Sequence, residues 1–129
     1  MFGKKNCADL SKINSYISPG NTIAGEFEFS GTVKFGGTLT GSMIGTLQEQ
    51  NGTPSVAIVE GQVHGKKIEA DHVIIIGDVN VETLVAHRTL VINKTAVVNA
   101  ETILYNELST EQGAKISGCL KQIEVVAKQ

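Results

Sequence analysis

Between residues 23 and 118 apolar and polar residues alternate, and they do so in short bursts. Phe27 and Phe29, Val33 and Phe35, Val73 and Ile75, and Val79 and Val81 stand two apart, and Ile58, Val63 and Ile68 extend the series. A period of two puts successive side chains on opposite faces of a strand, whereas an amphipathic helix repeats at three and four. Glycine, asparagine or the Lys66-Lys67 pair breaks the alternation, leaving strands of three to five residues. Such strands are too short for an ordinary sandwich.

The bursts recur. An aliphatic residue, a polar or small one, and then glycine or another small residue appear as Ile23-Ala24-Gly25, Leu39-Thr40-Gly41, Val63-His64-Gly65, Val79-Asn80-Val81, Val98-Asn99-Ala100 and Ile116-Ser117-Gly118, at spacings of 16, 24, 16, 19 and 18. The long interval contains QEQNGTPS, residues 48–55, a polar insertion. Six units, each with room for about three short strands, form a coil in which every strand pairs in parallel with its equivalent one unit on. VNVETL at 79–84 and VNAETI at 98–103 are then the same strand and corner in adjacent rungs. Val79 should stack on Val98 and Leu84 on Ile103 inside, with Asn80 over Asn99 and Thr83 over Thr102 outside. Glu82 over Glu101 sets like charges on neighbouring rungs, at a cost of a few tenths to about 1 kcal/mol. The register is still well determined, because a slip of one residue turns every aliphatic outward.

This reading divides the chain into a flexible amino-terminal tail (1–14), an all-β, parallel β-helix domain (15–120) and a carboxy-terminal tail or edge strand (121–129). Ala8, Leu10, Ile13 and Ile17 include helical spacings that Ser18-Pro19-Gly20 would end, so a short helix is the alternative to a tail there. Both ends of the coil expose apolar slices: Ile17, Ile23, Phe27 and Phe29 at one, Ala114, Ile116 and Leu120 at the other. Solenoids that remain single cover such ends with polar caps. Uncapped ends offer unpaired backbone and core to another subunit, and repeated end contacts build an open filament whether unlike or like ends meet. The candidate polymer interface is Ile23, Phe27, Phe29, Ile116 and Leu120, with Tyr105 and Leu108 as weaker members.

Composition narrows the functional classes. Hydrophobic residues make up 41% of the 129 positions and aromatics 5%, with no tryptophan, so the core must be aliphatic. A formal charge of −2 with mixed signs supplies no basic field for nucleic acid. Cys7 and Cys119 are too few for a disulfide framework, and no C-x-x-C pair marks a zinc site; free thiols in a reducing cytosol are the simpler expectation. MFGKKNCADL lacks the apolar run of a secretory signal, and no stretch approaches the roughly 20 apolar residues of a spanning helix.

In sum these features resemble the bactofilins, bacterial polymer-forming proteins. The resemblance covers roughly residues 15–120 and rests on ISPGNTIAGEFEFSGTVKFGGTLTGSMIG, on AIVEGQVHGKKIEADHVIIIGDVNVETL, and on TAVVNAETI followed by GAKISG. Its most specific element is Gly61-Gln62-Val63-His64-Gly65 followed by Ile68-Glu69-Ala70. The resemblance implies a right-handed helix, assembly into filaments without nucleotide, a cytoplasmic location at the inner face of the cell membrane, and a scaffolding role in cell shape or in positioning cell-wall enzymes, which would be its clients. It also implies a membrane-targeting start, for which Met1, Phe2, Lys4 and Lys5 are the candidates: Phe2 inserts and the lysines face lipid. Val81 and Ala100 depart from the pattern, standing where glycine corners are expected.

Other chemistry finds little support. FGGTLTGSMIG lacks the lysine and hydroxyl of a phosphate-binding loop, and no G-x-G-x-x-G occurs; no nucleotide or other cofactor is expected. Left-handed β-helices host acyltransferases and zinc carbonic anhydrases that use histidines at subunit edges. Here an offset of 16 sets His64 beside Asn80, His72 beside Arg88 and His87 beside Asp71, so the three share no column. Neither catalytic nor metal-binding residues are assigned. A small-oligomer binding module displaying the Asn80–Asn99 and Thr83–Thr102 ladder is the remaining rival.

Overall fold

In the computed structural model, residues 13–45 and 54–122 are described. They form nine strands: β1 Ile13–Ile17, β2 Thr22–Phe29, β3 Thr32–Phe35, β4 Thr38–Gly45, β5 Val56–Val59, β6 Gln62–Ile75, β7 Asp78–Ile92, β8 Val97–Thr110 and β9 Lys115–Gln122. Every pairing is parallel and joins a strand to its equivalent one turn on. The chain is therefore a parallel β-solenoid of about six turns. Ile13–Ile17 is neither helix nor tail: it pairs with β3, and that partner outweighs the weak helical spacing.

Each rung contributes a segment to three faces. The first face holds β1, β3, β5 and the closing segments of β6, β7 and β8; the second holds the opening segments of β2, β4 and β6 to β9; the third holds the segments that follow them. Identical positions stack into columns. On the second face the inward column is Ile23, Leu39, Val63, Val79, Val98 and Ile116; on the third it is Phe27, Met43, Ile68, Leu84, Ile103 and Leu120. Val79 meets Val98, Leu84 meets Ile103, Asn80 meets Asn99 and Thr83 meets Thr102, as the repeated phrase requires. In β5 packing decides the phase of a run that is apolar throughout. Ala57 and Val59 are fully buried, which turns Ile58 outward.

Corners explain both the odd residues and the uneven spacing. At Gly41 and Gly118 the chain turns within one residue, with φ of 137° and 138°, a conformation that side chains resist. A Cβ there would also fall 2.0 Å from the Gly25 carbonyl oxygen and 1.8 Å from that of Ala100. In the intervening rungs the same corner takes one more residue, Lys66, Glu82 or Glu101, so the pairing skips from Gly41/Ser42 to Gly65/Lys67 and from Asn99/Thr102 to Ser117/Cys119. In this longer corner Gly65 keeps a φ of 153°, whereas Val81 and Ala100 have no positive φ, and both are buried. A second bulge lies beyond the third face, where Ala86/Thr89 pairs with Ala70/His72. It sets His72 opposite Thr89 and not Arg88, correcting the offset-based alignment. Turns of differing length, Ile76-Gly77 in one rung and Asn93 to Ala96 in the next, account for the rest of the spread.

The strand β4 ends at Gly45, and β5 of the next rung follows Ser55. Ser55 is fully buried, and its backbone N–H donates to Asp71 Oδ2 at 3.1 Å, while the Asp71 N–H donates to Ser55 Oγ at 3.0 Å. Arg88 Nε stands 3.8 Å from Asp71 Oδ1. A buried carboxylate requires partners of this kind. The pair ties the start of β5 to the corner one turn on, where Val56 pairs with His72.

Candidate functional site

The inward columns are where the fold meets its surroundings. In the middle rungs Leu39, Val63 and Val98 are fully buried and Val79 nearly so, and the same holds for Met43, Ile68, Leu84 and Ile103. At the ends the identical positions emerge: Ile23, Phe27 and Ile116 are half-buried and Leu120 is 39% exposed. No difference of residue type causes this. The stack simply stops, and among the described residues β1 and β2 pair on one side only, as does β9.

The two ends are built differently. At the first, the Phe27 ring stacks on Phe29, centroids 6.1 Å apart, and tilts against Phe35 at 6.2 Å. Phe29 is 8% exposed because its ring covers Gly45, where a Cβ would lie 2.8 Å from Phe29 Cζ. Ile17, Ile23 and Phe27 thus offer the available apolar surface there. At the other end Leu108, Ala114 and Ile116 are half-buried around the exposed Leu120, with Tyr105 also partly covered. The five candidate interface residues therefore fall in the first and last rungs, two or three to each end. Met1, Phe2, Lys4 and Lys5 lie outside the described residues.

The titratable groups converge elsewhere. Glu69, on the outer side of the third face, receives Lys67 Nζ at 3.0 Å on Oε1 and His87 Nε2 at 2.7 Å on Oε2. Burial alone would raise its pKa, but the hydrogen bonds from His87 and Lys67, with their charges, outweigh it and hold the carboxyl below its ordinary value of 4.5. His64 pairs with Asn80 and His72 with Thr89, so the histidines stand apart, and no three His, Cys, Asp or Glu among the described residues are placed to hold a metal. The glycine-rich FGGTLTGSMIG forms the end of β3, a turn and β4. A shallow groove runs over the second corner, lined by Asn80, Glu82, Asn99, Glu101 and Ser117 among others.

One feature escaped the sequence reading. Ile58, Ile74 and Val91 stack in one outward column on the first face, and each is half-buried without belonging to the core. Their signal was present as VAIV, VIII and LVI, near-continuous aliphatic runs of the kind seen in strands covered on both sides.

Comparison with known protein families matches residues 15–121 to the bactofilin family, described as polymer-forming cytoskeletal. No curated protein and no solved structure matches the chain. The match spans most of the chain and coincides with the solenoid, and the chain belongs to that family.

Proposed function

We propose that this bactofilin is a structural scaffold whose subunits stack end to end into filaments without nucleotide. The observation that carries the reading is the break in the inward columns: positions fully buried in four successive rungs are open in the first and last. Stacking a second subunit would continue each column by one rung spacing, about 4.8 Å, pair the open strand edges and bury the end aliphatics at roughly 25 cal/mol per Å². Side chains on the outer surface need not change.

Membrane attachment at the inner face of the cell, and from there a role in cell shape or in positioning cell-wall enzymes, completes the proposal. Burying Phe2 contributes roughly 1.5 to 3 kcal/mol and each of Lys4 and Lys5 about 1 kcal/mol near an anionic surface. The total of about 4 to 5 kcal/mol corresponds to millimolar binding, too weak to hold one subunit. A filament bearing many such starts gains avidity, so assembly and attachment are coupled. Replacing Phe2 by serine should release the protein from anionic vesicles while filaments persist; retention on the vesicles refutes the tail's role.

The deciding experiment is negative-stain electron microscopy of the purified protein in physiological salt with no nucleotide. Filaments are expected from the native chain and discrete particles from Ile116→Lys, with an unchanged strand signal by circular dichroism. Discrete particles from the native chain overturn the proposal. Filaments from a folded Ile116→Lys remove that residue from the contact.

A further inference from the structure

The outer surface of the first face carries three successive aliphatics in one column, whereas on the third face Glu69 and Lys121 interrupt the outward column of Ile44, Val85 and Leu104. In rungs three to five the outward positions of the first face are Val56 and Ile58, His72 and Ile74, and Thr89 and Val91, with no carboxylate, lysine or arginine among them. Their neighbours in the strand, Ala57, Val59, Val73, Ile75, Leu90 and Ile92, are fully buried, so these strands are apolar on both sides. The second face alternates instead: its outward positions include Gln62, His64, Asp78, Asn80 and Asn99. A parallel strand with apolar residues on both sides is the pattern of a sheet covered on both sides, and among the described residues only the inner cover belongs to the subunit.

Charge returns at the margins, with opposite signs. Rung two carries Lys34, 37% exposed and held 3.5 Å from Glu60 and over the Tyr16 ring at 5.7 Å. Rung six carries Glu107, which is exposed and makes no ion pair among the described residues. Two copies laid face to face and antiparallel, centred on Ile74 in rung four, bring Lys34 of each to the level of Glu107 of the other. A parallel arrangement would oppose Lys34 to Lys34 and Glu107 to Glu107.

We propose that this face is a second self-association surface, on which a second copy of the chain packs antiparallel, sheet against sheet, at the roughly 10 Å separation of stacked sheets. In filaments, a consequence that rests on the end-to-end reading above, it joins two of them side by side. The surface differs from the polymer ends in position and chemistry, so the two contacts are separable by substitution.

The test compares the native protein with Ile74→Glu by electron microscopy and size exclusion. Ile74 points away from the core, and an unchanged melt will show that the variant is folded. Filaments should be paired or bundled in the native protein and single in Ile74→Glu; native filaments that are only single, or Ile74→Glu filaments that remain bundled, overturn the proposal. If neither protein forms filaments, the end-to-end reading fails alone, and a native dimer converted to monomer by Ile74→Glu still supports the face; a native monomer refutes it. Orientation is read from charge. Glu107→Lys should loosen the pairing and the added Lys34→Glu should restore it, and failure of that rescue rules out the antiparallel arrangement.

Discussion

Val79 and Ile116 hold the same place in the same column, yet the first is sealed and the second half-buried. The chemistry of the two residues is nearly equal. Their difference lies in having one neighbour rung or two, which separates what stabilises the subunit from what is left for assembly. In a globular core those contributions mix; in a solenoid nearest-neighbour contacts keep them apart.

The largest test of that separation sets Leu84 against Leu120, in the fourth and sixth rungs of one column. Leu84→Ala should cost 2 to 5 kcal/mol by the usual loss of transfer energy plus cavity, read by denaturant unfolding of dispersed subunits. Leu120→Ala should cost less than about 1 kcal/mol there, but more as protein concentration rises, since a contact formed only between subunits stabilises by mass action. Equal costs in dispersed subunits would abolish the distinction between middle and end.

A smaller effect contrasts two corners of one column. Gly41→Ala introduces a Cβ 2.0 Å from the Gly25 oxygen at a φ of 137° and should cost about 1 to 3 kcal/mol. Ala100→Gly, where the corner has its extra residue, should cost about 1 kcal/mol through chain entropy and the loss of one buried methyl. Thermal melts of the pair, recorded side by side, would contradict the two-corner account if the order were reversed.

The smallest effect concerns the outside of the coil. Because the folded pKa of Glu69 is lowered, its contribution is present above the ordinary carboxylate value and is lost as pH falls through the folded one. The group is partly screened by solvent, so the contribution is below about 1 kcal/mol. Glu69→Gln should melt slightly lower than the native protein at pH 7, and the gap should close in acid below 4.5. A gap that stays constant down to pH 3 would show that the His87 and Lys67 contacts contribute nothing through charge.

Much of the coil was legible because a column demands the same residue class at each turn, and VNVETL and VNAETI announce adjacent turns almost verbatim. What was not legible is instructive. VAIV satisfies a period of two in either phase, and only packing selects Ala57 and Val59 for the interior. His72 was placed one residue out because the bulge before Thr89 has no residue that marks it. Val81 and Ala100 looked like failed glycine corners until the additional Glu82 and Glu101 showed that the turn was wider. The strand at Ile13–Ile17 depends on a partner nearly twenty residues on, which local spacing does not reveal. As for the site, the end residues follow from the column logic, whereas their relative exposure does not: Phe29 is covered because Gly45 beside it is small.

The clasp between Ser55 and Asp71 separates the length of the inserted segment from the geometry of the coil. With the return of the chain fixed at Ser55 against the next rung, lengthening the chain between Gly45 and Pro54 adds mainly closure entropy, about 0.6 kcal/mol for each doubling. Each subunit thereby owns a fixed mounting point, and a row of assembled subunits would present whatever is grafted there as a ruler, one mark per copy.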